Sequence, residues 1–266
     1  MATEYLSAFD GIRLAYEKSY VPDSKVAIIV LHGLAEHKGR YGEFLKDLNG
    51  LGYTTFALDC RGHGESGGKR GDIKNFDEYI SDLDCIVLYI KKNFPNQKIA
   101  LFGHSLGGLI ATIYAAISKN PDMLILSNPL LESPQKSNML RFLPYKHIGF
   151  IKIKKRHSES PEMLQYSYND PLSCNYFTLR LLGVVFIEGI SKFIDTSGTV
   201  TLPILILGGK LDPLLDAARL DILSKHLGSD NITVKLYDNA RHRLVHSQQK
   251  EQVIADISMW IKAANE

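Results

Sequence analysis

Short apolar runs alternate along the chain with segments whose apolar residues recur every three or four positions, the pattern of a largely parallel sheet covered by helices on both faces. Val26–Leu31 reads Val-Ala-Ile-Ile-Val-Leu, a continuous run that fits a strand buried on both sides. Further strands are expected at Tyr53–Leu58, Lys98–Phe102, Met123–Leu126, Ile204–Leu207 and Ile232–Tyr237. Helices are expected at Tyr41–Leu51, Leu106–Ser118, Ala217–Leu227 and Gln252–Ala263, with one more after Asn75. Asn75 fits an N-cap and Glu78 is spaced to reach back as in a capping box; Phe76, Tyr79, Ile80, Leu83, Val87 and Ile90 then share one face until Pro95-Asn96. Near the start, Tyr5–Phe9 and Ile12–Tyr20 flank Asp10-Gly11, a hairpin turn signal, so the sheet opens with antiparallel strands.

Residues 128–198 break the rhythm. They carry Pro129, Pro134, Pro144, Pro161 and Pro171, with helix-like pieces and no clear strand. An insertion of this length between two strands of a regular sheet points to function rather than connection. The pattern therefore divides the chain into an α/β core, 1–127 and 199–266, and a helical insertion, 128–198.

At 266 residues, one large domain fits better than two small ones. The formal charge of +2 leaves no footprint for nucleic acid. Its distribution is uneven, since 136–157 holds seven Lys or Arg and no Asp or Glu, leaving −5 for the remainder. There Met139, Leu140, Phe142, Leu143, Ile148, Phe150, Ile151 and Ile153 interleave with Lys146, Lys152, Lys154, Lys155 and Arg156. That mixture suits peripheral docking on an anionic membrane surface, set against an insertion packed on its own core with a solvated basic rim. No secretory signal or spanning apolar stretch is visible, and Cys60, Cys85 and Cys174 are too few for a disulfide framework. A cytoplasmic protein is expected.

The candidate chemistry begins at Gly103-His-Ser-Leu-Gly107, a G-x-S-x-G match. Composition alone would produce it about once in ten such chains, so its context matters more: it follows an apolar strand and opens a helix. The positions two before and two after the serine come too close for side chains, and the strained turn exposes the Ser105 hydroxyl at a helix N-terminus. A serine needs a base, and His242 follows the last strand; the base needs an orienting acid, and Asp212 follows Ile204–Leu207. Asp216 and Asp238 are rival acids, although Asp238 reads as a surface turn residue. His242 and His246 have the spacing of helical zinc ligands, but Arg243 stands where that motif needs a catalytic Glu. Two backbone donors should receive the oxyanion: the Leu106 N–H after the nucleophile, and the Leu34 N–H after Val26–Leu31, with His32 more a brace than a reactant. Cys174 reads as a packing thiol.

With the order Ser105, Asp212, His242, the sequence resembles the monoglyceride lipase and lysophospholipase branch of the α/β-hydrolases. The resemblance rests on His32-Gly-Leu-Ala-Glu-His-Lys-Gly-Arg-Tyr41, Asp59-Cys-Arg-Gly-His-Gly-Glu-Ser66, Gly103–Gly107, Asn169-Asp-Pro-Leu172 and Ala240-Arg-His242. It implies the α/β-hydrolase fold, hydrolysis of monoacylglycerols or similar single-chain esters without metal or organic cofactor, a lipophilic cap, and Leu34 and Leu106 as oxyanion residues. Lysophospholipase or general carboxylesterase activity is the alternative, and a non-catalytic ligand-binding homologue a remote one. Relatives often continue after the histidine with Glu; here Arg243 follows, so the loop has to be held differently.

Overall fold

Every residue of Val26–Leu31 is buried, and its side chains divide by parity between two cores, Ala27, Ile29 and Leu31 on one side, Val26, Ile28 and Val30 on the other. The computed structural model that shows this describes residues 2–133, 140, 142–147, 152–154 and 169–265. Among them the strands are β1 (Thr3–Ser7), β2 (Arg13–Ser19), β3 (Val26–Leu31), β4 (Thr54–Leu58), β5 (Lys98–His104), β6 (Met123–Ser127), β7 (Lys152–Lys154), β8 (Tyr176–Thr178), β9 (Ile204–Gly209) and β10 (Ile232–Tyr237). Eight form one sheet in the order β1-β2-β4-β3-β5-β6-β9-β10, antiparallel at β1-β2 and β2-β4 and parallel thereafter. Helices α2 (Asp77–Asn93) and α3 (Leu106–Ile117) cover one face; α1 (Gly42–Gly50) and the C-terminal helix Lys250–Asn265 cover the other. The chain thus has the α/β-hydrolase architecture, with the ends of β3, β5, β9 and β10 opening on one edge, where ligands of such sheets bind.

The opening hairpin turns at Asp10-Gly11 with Gly11 at φ +82°, but the strands are Thr3–Ser7 and Arg13–Ser19, so Phe9 lies in the turn rather than in a strand. The cap of α2 also differs in detail. Asn75 Oδ1 accepts the Glu78 N–H at 3.1 Å as expected, whereas the Glu78 carboxylate takes the Lys74 N–H at 3.0 Å, one residue outside the expected box. Ala217–Leu227 is not one helix: a 3-10 turn at Ala217–Arg219 leads into a short α-helix, Leu220–Ser224. The Ser224 hydroxyl donates to the Asp221 carbonyl, and i to i+3 bonds from Lys225 and Leu227 tighten the chain out of α-helical register.

The insertion needs a correction too, because β7 and β8 pair antiparallel within it. The Lys-Ile-Lys alternation of β7 is only three residues long, too short to register as a strand. After β8, an almost continuous helical run spans Leu179–Thr196 with a π-helical stretch at Val184–Gly189, and Thr178 Oγ1 caps it by accepting the Leu181 N–H. This run is fixed to the core. Asp72 accepts from Thr178 Oγ1 at 2.6 Å and pairs with Arg180 in bidentate fashion, Nε to Oδ1 and Nη2 to Oδ2, and Phe76 N–H donates to Glu188 at 2.9 Å. Of the interleaved apolar and basic positions, Met139, Ile148, Phe150, Ile151, Lys155 and Arg156 lie outside the described residues. Among the described residues no helix is long and apolar enough to cross a membrane.

Candidate active site

Between β5 and α3 the backbone reverses within one residue, Ser105, at φ +51° and ψ −114°. A β-carbon on Gly103 would fall 2.4 Å from the Gly107 carbonyl oxygen, and one on Gly107 would fall 2.2 Å from that of Leu31. Only glycine fits at either place, which is the steric reason for the G-x-S-x-G spacing. The turn is pinned to the end of β6: Ser105 N–H donates to the Ser127 carbonyl, and the Ser105 carbonyl accepts from Leu130 N–H. Leu106, buried, is the first helical residue, where backbone N–H groups have no intrahelical acceptor.

The loop after β3 packs directly on this turn. A β-carbon built on Gly33 would lie 3.3 Å from Ser105 Cβ, so the Gly33-Leu34 backbone borders the serine. His32 braces the loop from beneath: Nε2 accepts the Cys60 N–H at 3.0 Å, which leaves Nδ1 to donate to the Gly33 carbonyl at 2.8 Å. Cys174 is buried, with its thiol 3.4 Å from the Gly62 carbonyl.

Asp212 and His242 come from the loops after β9 and β10. His242 Nδ1 lies 2.7 Å from Asp212 Oδ2, and the carboxylate side chain is inaccessible to solvent. Its other oxygen accepts the N–H groups of Leu214 and Leu215, so the carboxylate is aimed before the histidine arrives. An imidazole donating from Nδ1 presents Nε2 as its acceptor when neutral. The His242 ring lies 4.7 Å, centroid to centroid, from that of His104, which immediately precedes Ser105. The rival carboxylates are elsewhere: Asp238 is exposed and pairs with Lys210, and Asp216 is exposed. His246 Nε2 meets the Arg40 carbonyl at 2.7 Å, so the two imidazoles with zinc-like spacing address different partners.

Two residues without a sequence-based role matter here. Asn128, buried and at φ +41°, donates from Nδ2 to the carbonyls of Arg241 and His242 and accepts the Gly209 N–H on Oδ1. One amide thereby ties the ends of β6 and β9 to the His242 loop. The signal was an asparagine, tolerant of left-handed backbone, between a strand and a proline. Glu36, also buried, accepts the Gly33 N–H at 3.1 Å and the Tyr41 hydroxyl at 2.8 Å, while Arg243 Nε lies 2.6 Å from its second oxygen. Burial alone would raise this carboxyl; the Arg243 guanidinium beside it, with the Tyr41 hydrogen bond, holds it well below its usual range. Arg243 is held by this contact.

The sequence family described as serine aminopeptidase, S33, matches residues 22–249. The chain belongs to this family. The monoglyceride lipase of Rattus norvegicus is 30% identical over 254 residues, covering 89% of this chain and 82% of that protein. Phospholipase YtpA of Bacillus subtilis is 26% identical over 243 residues, covering 87% and 93%. Among solved structures, the Paleococcus ferrophilus monoacylglycerol lipase superposes with a TM-score of 0.82 at 26% identity, covering 94% of this chain and 99% of that one. The S33 member described here is thus of the monoglyceride lipase type in both sequence and fold.

Asn128→Ala removes three hydrogen bonds from backbone that carries Asp212 and His242. Hydrolytic turnover is expected to fall about 10-fold or more with a smaller change in KM, in steady-state kinetics. A second expectation concerns acid. Burial pushes the imidazoles of His63 and His104 down to about 3. Unfolded histidines titrate near 6.5, so between about pH 6.5 and 3 the unfolded chain binds protons that the folded chain refuses, and stability falls as pH drops through that window. Urea midpoints should decline from pH 6.5 to 4.5, and His63→Gln should flatten the decline.

Proposed function

We propose that this protein hydrolyses monoacylglycerols to fatty acid and glycerol, with Ser105 as nucleophile, His242 as base and Asp212 as orienting acid. The observation that carries this reading is the 2.7 Å pair between His242 and Asp212, on loops that border the strained turn at Ser105. Ser105 attacks the acyl carbonyl while His242 Nε2 takes its proton. The Leu34 and Leu106 N–H groups receive the oxyanion, and the imidazolium formed is stabilised by Asp212. His242 then protonates the departing glycerol oxygen. Water repeats the cycle on the acyl-enzyme, giving up its proton to His242 and releasing the fatty acid. No metal or organic cofactor takes part in these steps.

The substrate class is supported by the monoglyceride lipases among the relatives. A second reading, lysophospholipase or general carboxylesterase, is favoured by the Bacillus phospholipase and keeps the same three residues. Ser105→Ala is expected to lower turnover by about 10⁴-fold or more while leaving the fold intact, and to abolish labelling by a fluorophosphonate probe. Near-normal turnover in that variant would sink the proposal. Comparing a monoacylglycerol with a lysophosphatidylcholine of the same acyl chain separates the two substrate readings.

Residues 128–198 serve in this reading as a cap over the acyl site. Phe142 is 89% exposed and Leu143 is 43% exposed, close in sequence to the exposed Lys146 and His147. Apolar side chains displayed beside basic ones suit contact with an anionic lipid surface. Co-sedimentation with phosphatidylserine-containing vesicles at low salt should be lost on combining Phe142→Asp with Lys146→Glu. Equal binding by the double variant and the parent protein would remove this role.

A further inference from the structure

We propose that Arg243 is a positioning residue of the hydrolytic reaction: its ion pair with Glu36 fastens the Gly33-Leu34 loop to the His242 loop and cancels a buried carboxylate beside the oxyanion site. The inference rests on the triad and oxyanion assignments above.

Glu36 is 2% exposed and gathers donors from three separate places. Gly33 N–H belongs to the loop after β3, the Tyr41 hydroxyl to the turn before α1, and the Arg243 guanidinium to the residue following His242. The first two are neutral donors, so they satisfy lone pairs and leave the charge. Arg243 supplies the compensating charge from a side chain that is itself 10% exposed. Paired in this way the carboxylate is stable in the interior; bereft of Arg243 it would be an uncompensated buried anion.

Where that anion would act follows from the glycine between it and the nucleophile. A β-carbon on Gly33 would stand 3.3 Å from Ser105 Cβ and 3.4 Å from Glu36 Oε2. The carboxylate therefore lies within about 7 Å of Ser105 Cβ, a separation over which an unbalanced charge is felt through protein. It would oppose negative charge developing on the acyl oxygen and favour the imidazolium form of His242, both contrary to acyl transfer. Arg243 prevents this from the residue next to the base, so the contact that neutralises Glu36 also fixes the His242 backbone against the Leu34 backbone.

Among the described residues Arg243, His104, His246, His32 and Tyr41 face Glu36, and Asp212 and His104 face His242. Burial pushes His104 down to about 3, and burial likewise pushes His246 down, so neither carries compensating charge in the working range.

The test is the pH dependence of kcat/KM in two single variants and their combination. Arg243→Gln keeps a hydrogen-bond donor for Glu36 and leaves its charge unpaired. The acid limb should move to higher pH by about 0.5–1 unit, and kcat should fall about 10-fold with KM changed less than about 3-fold. Glu36→Gln keeps an acceptor for Gly33 and Tyr41 and removes the negative charge opposite Arg243, so the acid limb should move to lower pH. The double variant should return near the parent value. Shifts of the same sign in the two single variants, or no shift in either, would overturn the proposal; a merely structural contact would lower stability in both without opposite displacements. Should Arg243→Gln not fold, the direction of the Glu36→Gln shift decides alone. Failure of the triad assignment is recognised separately, by retained activity in Ser105→Ala.

Discussion

The close approach of three backbone segments at the Ser105 turn governs what surrounds it. The α3 helix can start where it does only because Gly107 lies against the Leu31 and His32 carbonyls and Gly103 lies against Gly107. With a side chain at either glycine, β3, β5 and α3 would have to separate, and the loop after β3 would no longer border the serine. A left-handed serine is costly for an L-residue and persists when its surroundings over-determine it. Here the bonds from Ser105 to Ser127 and Leu130 supply that constraint from the neighbouring strand.

The positions of Asp212 and His242 follow from the same sheet. Parallel strands bring all their C-terminal ends to one edge, so residues 105, 212 and 242, far apart in sequence, arrive together without any long loop reaching across the molecule. Fine alignment is then polar. Two backbone N–H groups aim the Asp212 carboxylate, and a single Asn128 amide joins β6, β9 and the His242 loop. The Asn128 amide and the Asp212 side chain are themselves buried, where satisfied hydrogen bonds favour one geometry over its neighbours.

Much of this was legible in the chain because apolar runs and glycine spacing are local signals. β3 and β10 have the limits their apolar runs suggest, and the strand, serine turn and helix succession is visible in the residues around Gly103–Gly107. What escaped was set by long-range polar contacts. Asn128 has meaning only once Gly209 and His242 stand beside it, and Glu36 could be read as one letter of a motif without its Arg243 partner. The helix expected over Ala217–Leu227 contains good helix formers, but its final turn is taken by i to i+3 bonds and by the Ser224 hydroxyl. β7 was invisible because three residues do not make a period.

The attachment of the Leu179–Thr196 run limits how the insertion can move on the core. Asp72 grips both Thr178 and Arg180, Gly71 carbonyl accepts the Thr178 N–H, and Glu188 holds the start of α2. A β-carbon on Gly71 would strike the Tyr176 carbonyl, and one on Gly189 the Phe76 ring. Riveted at both its root and its middle, this arm cannot swing about a single hinge: parting it from the core would mean breaking the Asp72 and Glu188 attachments together.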